Sequence, residues 1–313
     1  MGEKLYLLGH PIGHSKSPVM YNALYEKLGL PWDYASMDCA SEDEARAFLE
    51  AREFFSINIT TPYKPLAFEA ASVRAATAKL AQGANVLVKK GSTLIAYNVD
   101  GEGCVDYLER VGMRFSGAQV VVCGTGPTAL SILHACALAG AARVVLVGRD
   151  KARTRSALES YVALYGELAF ATVDPPAARD GHLSFREAYE QVDFAYGSYD
   201  ASSQVFSEAD LIVNATPLGM HPGDPSPFDT KLLHEGQIVF DAVYGHGVTA
   251  LVAGAREAGC SVFDGQGMLV AQAVATAVML LEIAGVECDL PREEMFDIMA
   301  EAAGFDLERY NRM

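Results

Sequence analysis

The chain has no CxxC pair among its six cysteines, no excess of basic residues, no internal repeat and no low-complexity tract. Each absence removes a class of protein. Cys39, Cys104, Cys123, Cys136, Cys260 and Cys288 are scattered rather than spaced as ligand pairs. Cys104, Cys123 and Cys136 sit in apolar runs and read as small core residues, so neither a metal site nor disulfides are expected, and a reducing, cytoplasmic setting fits best. Lys and Arg number 24 against 40 Asp and Glu, a formal charge of −16. Without a basic stripe interleaved with aromatics, nucleic acid is not an expected partner. The opening MGEKLYLLGH lacks the order of a secretory leader, basic start then apolar core then cleavage site. The longest apolar-rich stretch, 268 to 285, is interrupted by Gln272 and Glu282 and lacks a flanking positive charge. It reads as a buried core helix, and no membrane association is expected.

What is present is apolar material in quantity. Half of the 313 residues are hydrophobic and 20% are charged, enough for a large core and, by length, two domains. Up to residue 100 strand-like and helix-like runs alternate: KLYLLGH, then SPVMYNALYEKLGL with Ser17 as N-cap and Pro18 at the first helical position, then YASMD, SEDEARAFLEAR, FSINIT and TPYKPLAFEAA. VLVKK and TLIAYN flank Gly91 as a hairpin. The alternation predicts an α/β fold with mostly parallel sheet covered on both faces. A second unit begins near residue 101 with GEGCVDYLERVG and runs through AQVVVCG, ARVVLVG, KARTRSALESYVALYG, LAFATV, DLIVNATPLGM, QIVFDAVYG and SVFDG. Residues 174–206 are poorly periodic and are expected to form a long loop. From 269 onward the chain reads as helix. Two domains follow, 1–101 completed by 269–313, and 102–268.

Three passages carry chemistry. Gly124-Thr125-Gly126-Pro127-Thr128-Ala129 lies between a strand and a helix in the G-x-G-x-x-A spacing of a dinucleotide loop. Gly124 permits the turn, Gly126 lets backbone approach a pyrophosphate, and Ala129 allows close helix packing. A plain turn between strand and helix is the bland alternative. The next strand ends at Gly148, where an NAD enzyme often has an acidic residue, and Arg149 and Arg153 follow. Two guanidinium groups suit a 2′-phosphate, which favours NADP. Asp150 keeps NAD possible, since it could bond a ribose or simply cap a helix.

SINITTPYK leaves a strand with Asn58, Thr60 and Lys64. A lysine in the first turn of a helix is disfavoured by the helix dipole, and that field should lower its pKa, which suits proton transfer. AYNVDGEG ends another strand with Asn98 and Asp100. Asp100 reads equally as an N-cap or as the partner of Lys64. In GHPIGHSKSP, a turn needs the Gly and Pro but not Ser15 and Ser17 side by side.

Taken in order, GHPIGHSKSP, NITTPYK, GANVL, YNVDGEG, GTGPTA, NATPLGM, DAVYG and GQGMLVAQA give a chain that resembles the shikimate dehydrogenase family over nearly its full length. The resemblance implies a small cyclic hydroxy acid as substrate, with its carboxylate on Ser15 and Ser17. It implies Asn58, Thr60, Asn85 and Gln272 on substrate hydroxyls or carboxylate, and Tyr244 at the carboxylate end. Lys64 and Asp100 would be the catalytic pair. Asn214, Thr216, Met220 and Gly265 would line the nicotinamide side, with the nicotinamide meeting a ring carbon in a cleft between the domains. The implied reaction is NADP-dependent reduction of 3-dehydroshikimate to shikimate. An NAD-preferring quinate/shikimate dehydrogenase and a non-catalytic sensor are the alternatives, and the assembly is expected to be a monomer or a homodimer. The chain departs from the family pattern at Pro65, Val86, Val99, Pro127, Gly148-Arg149-Asp150 and Gly245-His246. Val86 and Val99 stand where threonines are usual.

Overall fold

The computed structural model describes residues 2–169, 182–184, 192–200 and 203–307. They divide into two compact units. The first takes the chain up to Gly103 and regains it at Leu269–Leu307; the second is Cys104–Met268.

The first unit opens with β1 (Lys4–Gly9), α1 (Ser17–Lys27), β2 (Asp33–Asp38), α2 (Glu42–Ala51), β3 (Ser56–Ile59) and α3 (Lys64–Ala70). It continues with β4 (Val73–Arg74), α4 (Ala76–Ala81), β5 (Val86–Lys90) and β6 (Thr93–Tyr97), and α5 (Asp100–Arg110) runs across the border at Gly103. Local chemistry explains the boundaries. Ser41 caps α2 by accepting from the Glu44 N–H at 3.3 Å, and three acidic residues fill the first turn of that helix, where the dipole favours them. Gly91, at φ +62°, turns β5 back into β6, a conformation only glycine adopts without strain.

The sheet order is β2-β1-β3-β5-β6-β4. β1 runs parallel to both β2 and β3, whereas β5 is antiparallel to β3 and to β6. β4 runs parallel to β6, so the sheet is mostly parallel, with β5 alone reversed and the turn at Gly91 returning the chain into β6. Register matters for function here. Leu8 pairs with Ile59, Asn58 with Val86, and Val86 with Tyr97. The carboxyl ends of β1, β3 and β6 and the amino end of β5 thus share one edge. The chain leaves β1 toward β2 on one side and reaches β3 on the other, and such a switch point is where open α/β sheets place ligands.

The second unit contains β7 (Gln119–Cys123), α6 (Pro127–Leu138), β8 (Arg143–Gly148), α7 (Lys151–Ala169), β9 (His182–Ser184), β10 (Asp193–Ser198) and α8 (Ser203–Glu208). β11 (Leu211–Asn214), β12 (Ile238–Asp241), α9 (Ala250–Glu257) and β13 (Ser261–Asp264) complete its sheet. The strand order β13-β12-β11-β7-β8-β10-β9 is parallel throughout except for β9. Apart from β9 this is the doubly wound order of a Rossmann unit. Val120, Val122, Val144, Leu146, Ile212, Val213 and Phe240 are fully buried, as a sheet covered on both faces requires.

Two readings of this unit change. Leu168 and Ala169 belong to α7, not to a strand; the rest of that expected strand lies outside the described residues. Within 174–206, β9, β10 and the start of α8 are ordered elements rather than loop, and other parts of the segment lie outside the described residues. β10 was hidden because its stability comes from pairing with β8, Asp193 with Arg143 through to Ser198 with Gly148, not from a local pattern.

α10 (Gly265–Ala284) and α11 (Arg292–Ala303) end the described chain. α10 begins four residues before the expected helical stretch. By length and composition it is sufficient to cross a membrane, and 67% of its apolar window is buried inside the protein. Its Val270, Ala273, Ala277 and Leu280 are fully buried. α11 packs against α1 within the first unit.

Candidate active site

The first unit gathers its polar side chains at the switch-point edge. The loop after β1 is held by Asp38 at the end of β2. His10 Nδ1 lies 2.6 Å from one Asp38 oxygen, and the Ile12 N–H donates to the other at 3.4 Å. The hydrogen bond to His10 holds the Asp38 carboxyl below its usual pKa, so it stays an anion and an acceptor. The Ser15 N–H then donates to the Ile12 carbonyl at 3.0 Å.

Ser17 is not the N-cap. Lys16 holds that position without a side-chain bond, and Ser17 is the first helical residue. The capping is done by Ser15, whose Oγ accepts the Ser17 N–H at 3.3 Å and donates to the Ser17 Oγ at 3.3 Å. Two hydroxyls therefore stand side by side at the first turn of α1, whose unbonded N–H groups and positive dipole end favour an anion.

Asn58 comes from β3 and is buried. Its Oδ1 accepts from the Tyr34 hydroxyl at 3.0 Å, and its Nδ2 donates to Thr276 Oγ1 at 3.5 Å. Thr276 in turn donates to the Gln272 carbonyl at 2.9 Å. These bonds fix which end of the Asn58 amide is which. Burial raises the Tyr34 pKa, keeping that hydroxyl a donor. Neither Tyr34 nor Thr276 carried a motif, so sequence reading missed both. Thr60 forms the turn after β3, donating to the Leu8 carbonyl and accepting from the Tyr63 N–H.

Lys64 is the first residue of α3, in the unfavourable place the sequence indicated. Its Nζ hydrogen-bonds Asp100 Oδ2. The two side chains are 17% and 8% exposed, so the pair is mostly withdrawn from water. Asn85 Nδ2 donates to the second Asp100 oxygen at 2.7 Å, and Asn85 Oδ1 accepts the Val99 N–H at 2.9 Å. Asn98 Oδ1 accepts the Asp100 N–H at 3.1 Å. Backbone bonds from Ala84 to Lys64 and from Ile59 to Asn85 tie the four residues into one frame. Val86 and Val99 are buried there and offer no hydroxyl.

Gln272 donates Nε2 to the Leu269 carbonyl at 2.9 Å. It sits against Gly103 of α5. A Cβ at Gly103 would lie 2.5 Å from the Gln272 Cβ, so glycine is required for these helices to cross this closely.

The second unit presents its own site at the carboxyl end of β7. Gly124 has φ +119°, and a Cβ there would lie 2.9 Å from the Ala215 carbonyl oxygen. Gly126 is the N-cap of α6, has open space where a side chain would be, and is followed by Pro127 at the helix start. Thr125 and Thr128 flank this opening, and Ala129 is fully buried. The loop thus offers bare backbone and a helix N-terminus to a phosphate. At the end of β8, Arg149 and Arg153 are exposed at the start of α7. Asp150 is resolved by geometry: its Oδ1 accepts the Ala152 and Arg153 N–H groups at 2.8 and 3.1 Å, a helix cap. At the ends of β11 and β12 stand Thr216, whose N–H and hydroxyl both donate to Asn214 Oδ1, and Tyr244, whose pKa burial pushes up to about 12. Gly265 closes against this turn; a Cβ there would lie 2.3 Å from the Ala242 carbonyl oxygen. No group of three or more potential metal ligands occurs among the described residues.

These features define a two-unit α/β protein of the Rossmann type, with a glycine loop on one unit and a mostly buried Lys–Asp pair on the other. Residues 7–87 match the family model for the shikimate dehydrogenase substrate binding domain. The chain is 32% identical to a shikimate dehydrogenase (NADP(+)) from Symbiobacterium thermophilum over 87% of this chain and 86% of that one. It is 30% identical to a quinate/shikimate dehydrogenase from Escherichia coli, over 86% and 88%. Its fold superposes on a shikimate 5-dehydrogenase from Thermus thermophilus, solved in complex with NADP(H) and shikimate, with TM-score 0.73 and 23% identity over 96% and 99%. The chain belongs to the shikimate dehydrogenase family.

Proposed function

We propose that the chain catalyses the reversible, NADP-dependent reduction of 3-dehydroshikimate to shikimate. The observation that carries this is the Lys64–Asp100 pair, mostly buried and framed by Asn85, at the same sheet edge as the two serines and Asn58. In this reading the first unit binds the acid and the second binds the cofactor. Ser15 and Ser17 bond the carboxylate. Asn58, Thr60, Asn85 and Gln272 meet the remaining oxygens of the ring or the carboxylate.

Reduced nicotinamide, when bound, supplies the hydride that adds to the carbonyl carbon. The Lys64 ammonium gives the proton that the carbonyl oxygen gains, and in the reverse direction the neutral amine takes it back. Asp100 keeps the amine at the reacting oxygen. Asn85, by occupying the other Asp100 oxygen, fixes the direction from which that carboxylate meets Lys64.

Gly124 to Ala129, Arg149, Arg153, Thr216 and Gly265 hold the cofactor. The use of Asp150 as a helix cap supports NADP over NAD, since two backbone N–H groups hold one oxygen of the acidic group that could have taken a ribose. Buried Val86 and Val99 favour a second reading, a quinate/shikimate dehydrogenase with relaxed hydroxyl recognition. One initial-rate experiment decides between them: shikimate and quinate crossed with NADP and NAD, followed by nicotinamide absorbance, with Lys64→Ala as control. Shikimate with NADP is the expected productive pair. Turnover chiefly with quinate and NAD would support the second reading, and wild-type turnover by Lys64→Ala would remove the proton role.

A further inference from the structure

Asp241 is a fully buried carboxylate that the proposed chemistry does not use. Burying an ionisable group is costly unless it is paired or fully hydrogen-bonded. Among the described residues Asp241 collects three neutral donors from three places in the chain. Asn214 Nδ2 donates to Oδ1 at 2.9 Å, and the Val243 N–H donates to the same oxygen at 3.1 Å. The Thr249 hydroxyl donates to Oδ2 at 2.6 Å.

Each donor extends the connection. Asn214 Nδ2 also donates to the Leu218 carbonyl, its Oδ1 accepts twice from Thr216, and the Leu218 N–H donates to Thr216 Oγ1. Thr249 caps α9 by accepting the Val252 N–H at 3.2 Å. Its methyl leaves so little room beside Gly219 that a Cβ there would lie 2.7 Å away. Asp241 therefore joins the loop after β11, the turn after β12 and the start of α9 within one unit.

Place in the fold gives this a function. A doubly wound sheet binds a dinucleotide as two halves on either side of the strand that carries the glycine loop. β8, with Arg149 and Arg153 following it, lies on one side of β7, and β11 and β12 lie on the other. We propose that Asp241 is a positioning residue that holds the 214–219 loop in the shape that receives the nicotinamide half of the cofactor. The inference rests on the reading that this unit binds NADP.

The test is binding, not turnover. NADPH and adenosine 2′,5′-bisphosphate are titrated calorimetrically into wild type, Asp241→Ala, Asp241→Asn and Thr249→Val. The bisphosphate carries only the adenosine half. Asp241→Ala removes all three bonds that shape the loop and is expected to weaken NADPH by about tenfold or more, while the bisphosphate binds as to wild type. Asp241→Asn should recover most of the loss. Its carbonyl can keep the two Oδ1 donors, and the Thr249 hydroxyl can turn round to accept. Thr249→Val should fall between them. Equal weakening of both ligands would mean general loosening of the unit and would overturn the proposal, as would unchanged NADPH binding in Asp241→Ala. A folded wild type that binds neither ligand would remove the cofactor reading and this inference together. Should Asp241→Ala fail to fold, Thr249→Val carries the same comparison.

Discussion

At the scale of single residues, the site is a set of polar groups whose partners fix their orientation before any ligand arrives. Lys64→Ala should bind shikimate with near wild-type affinity and lose about 10²- to 10⁴-fold in turnover, the usual worth of a proton-transfer group; calorimetry beside steady-state rates checks the split. Asp100→Ala should be the more damaging to the fold, because it strands a largely buried ammonium, a loss on the order of 3–5 kcal/mol, and urea denaturation would measure it. Ser15→Ala should raise KM for the acid with little change in kcat, since the carboxylate contact is the same in ground and transition states. Lys64 was legible in the sequence because it stands where a helix tolerates a cation poorly. The Asp100 contact with Lys64 was half legible, since an N-cap and a lysine's partner look alike in one dimension. Tyr34 and Thr276 were illegible because they meet Asn58 from elements far away in sequence, and Asp241 because its donors lie in loops that show no period. Ser17 misled for a subtler reason: Ser15, two residues earlier, took over the capping and let the helix begin one residue sooner.

The elements set what can be changed. At the end of β8 a Cβ on Gly148 would lie 2.5 Å from Thr154 Oγ1, and Thr154 is fully buried with that hydroxyl bonded to the Asp150 carbonyl at 2.8 Å. Gly148→Asp, the obvious route toward NAD, should therefore cost about 1–3 kcal/mol from overpacking and fail to give an NAD enzyme. Adding Thr154→Ala should recover much of the stability, as melting curves would show. Between α6 and α7, the Tyr161 hydroxyl lies 2.9 Å from His134 Nδ1. Burial lowers the His134 pKa from 6.5 to about 4. A depressed histidine favours the neutral form in the folded state, so its contribution is complete above pH 6.5 and is lost as pH falls toward 4. Stability measured in urea should decline across that window, and His134→Gln should flatten the decline. Most strands and helices were readable from their periodicity. β4 and α4 were missed because they are too short to show a period, and β10 because its stability comes from its neighbour.

For the whole molecule, a formal charge of −16 sets a long-range field against two anionic ligands, while the groups that would bind them act at short range. Screening shortens the reach of that field from about 30 Å at 0.01 M salt to about 8 Å at 0.15 M. Association of the acid should therefore quicken as salt rises over this range, the reverse of a protein that steers anions in; stopped-flow binding rates at several ionic strengths would check the sign. The division into units has another consequence, in the order of synthesis. Among the described residues the second unit is one continuous stretch, Cys104–Met268, and can close on itself without waiting for α11. The first cannot: α1, among the earliest helices made, packs on α11, among the last. Its α1 must wait through some 165 intervening residues, Cys104–Met268, before its partner helix exists, so a chain stalled in translation before α11 would carry the whole Cys104–Met268 stretch beside a first unit whose α1 still lacks the helix it packs on.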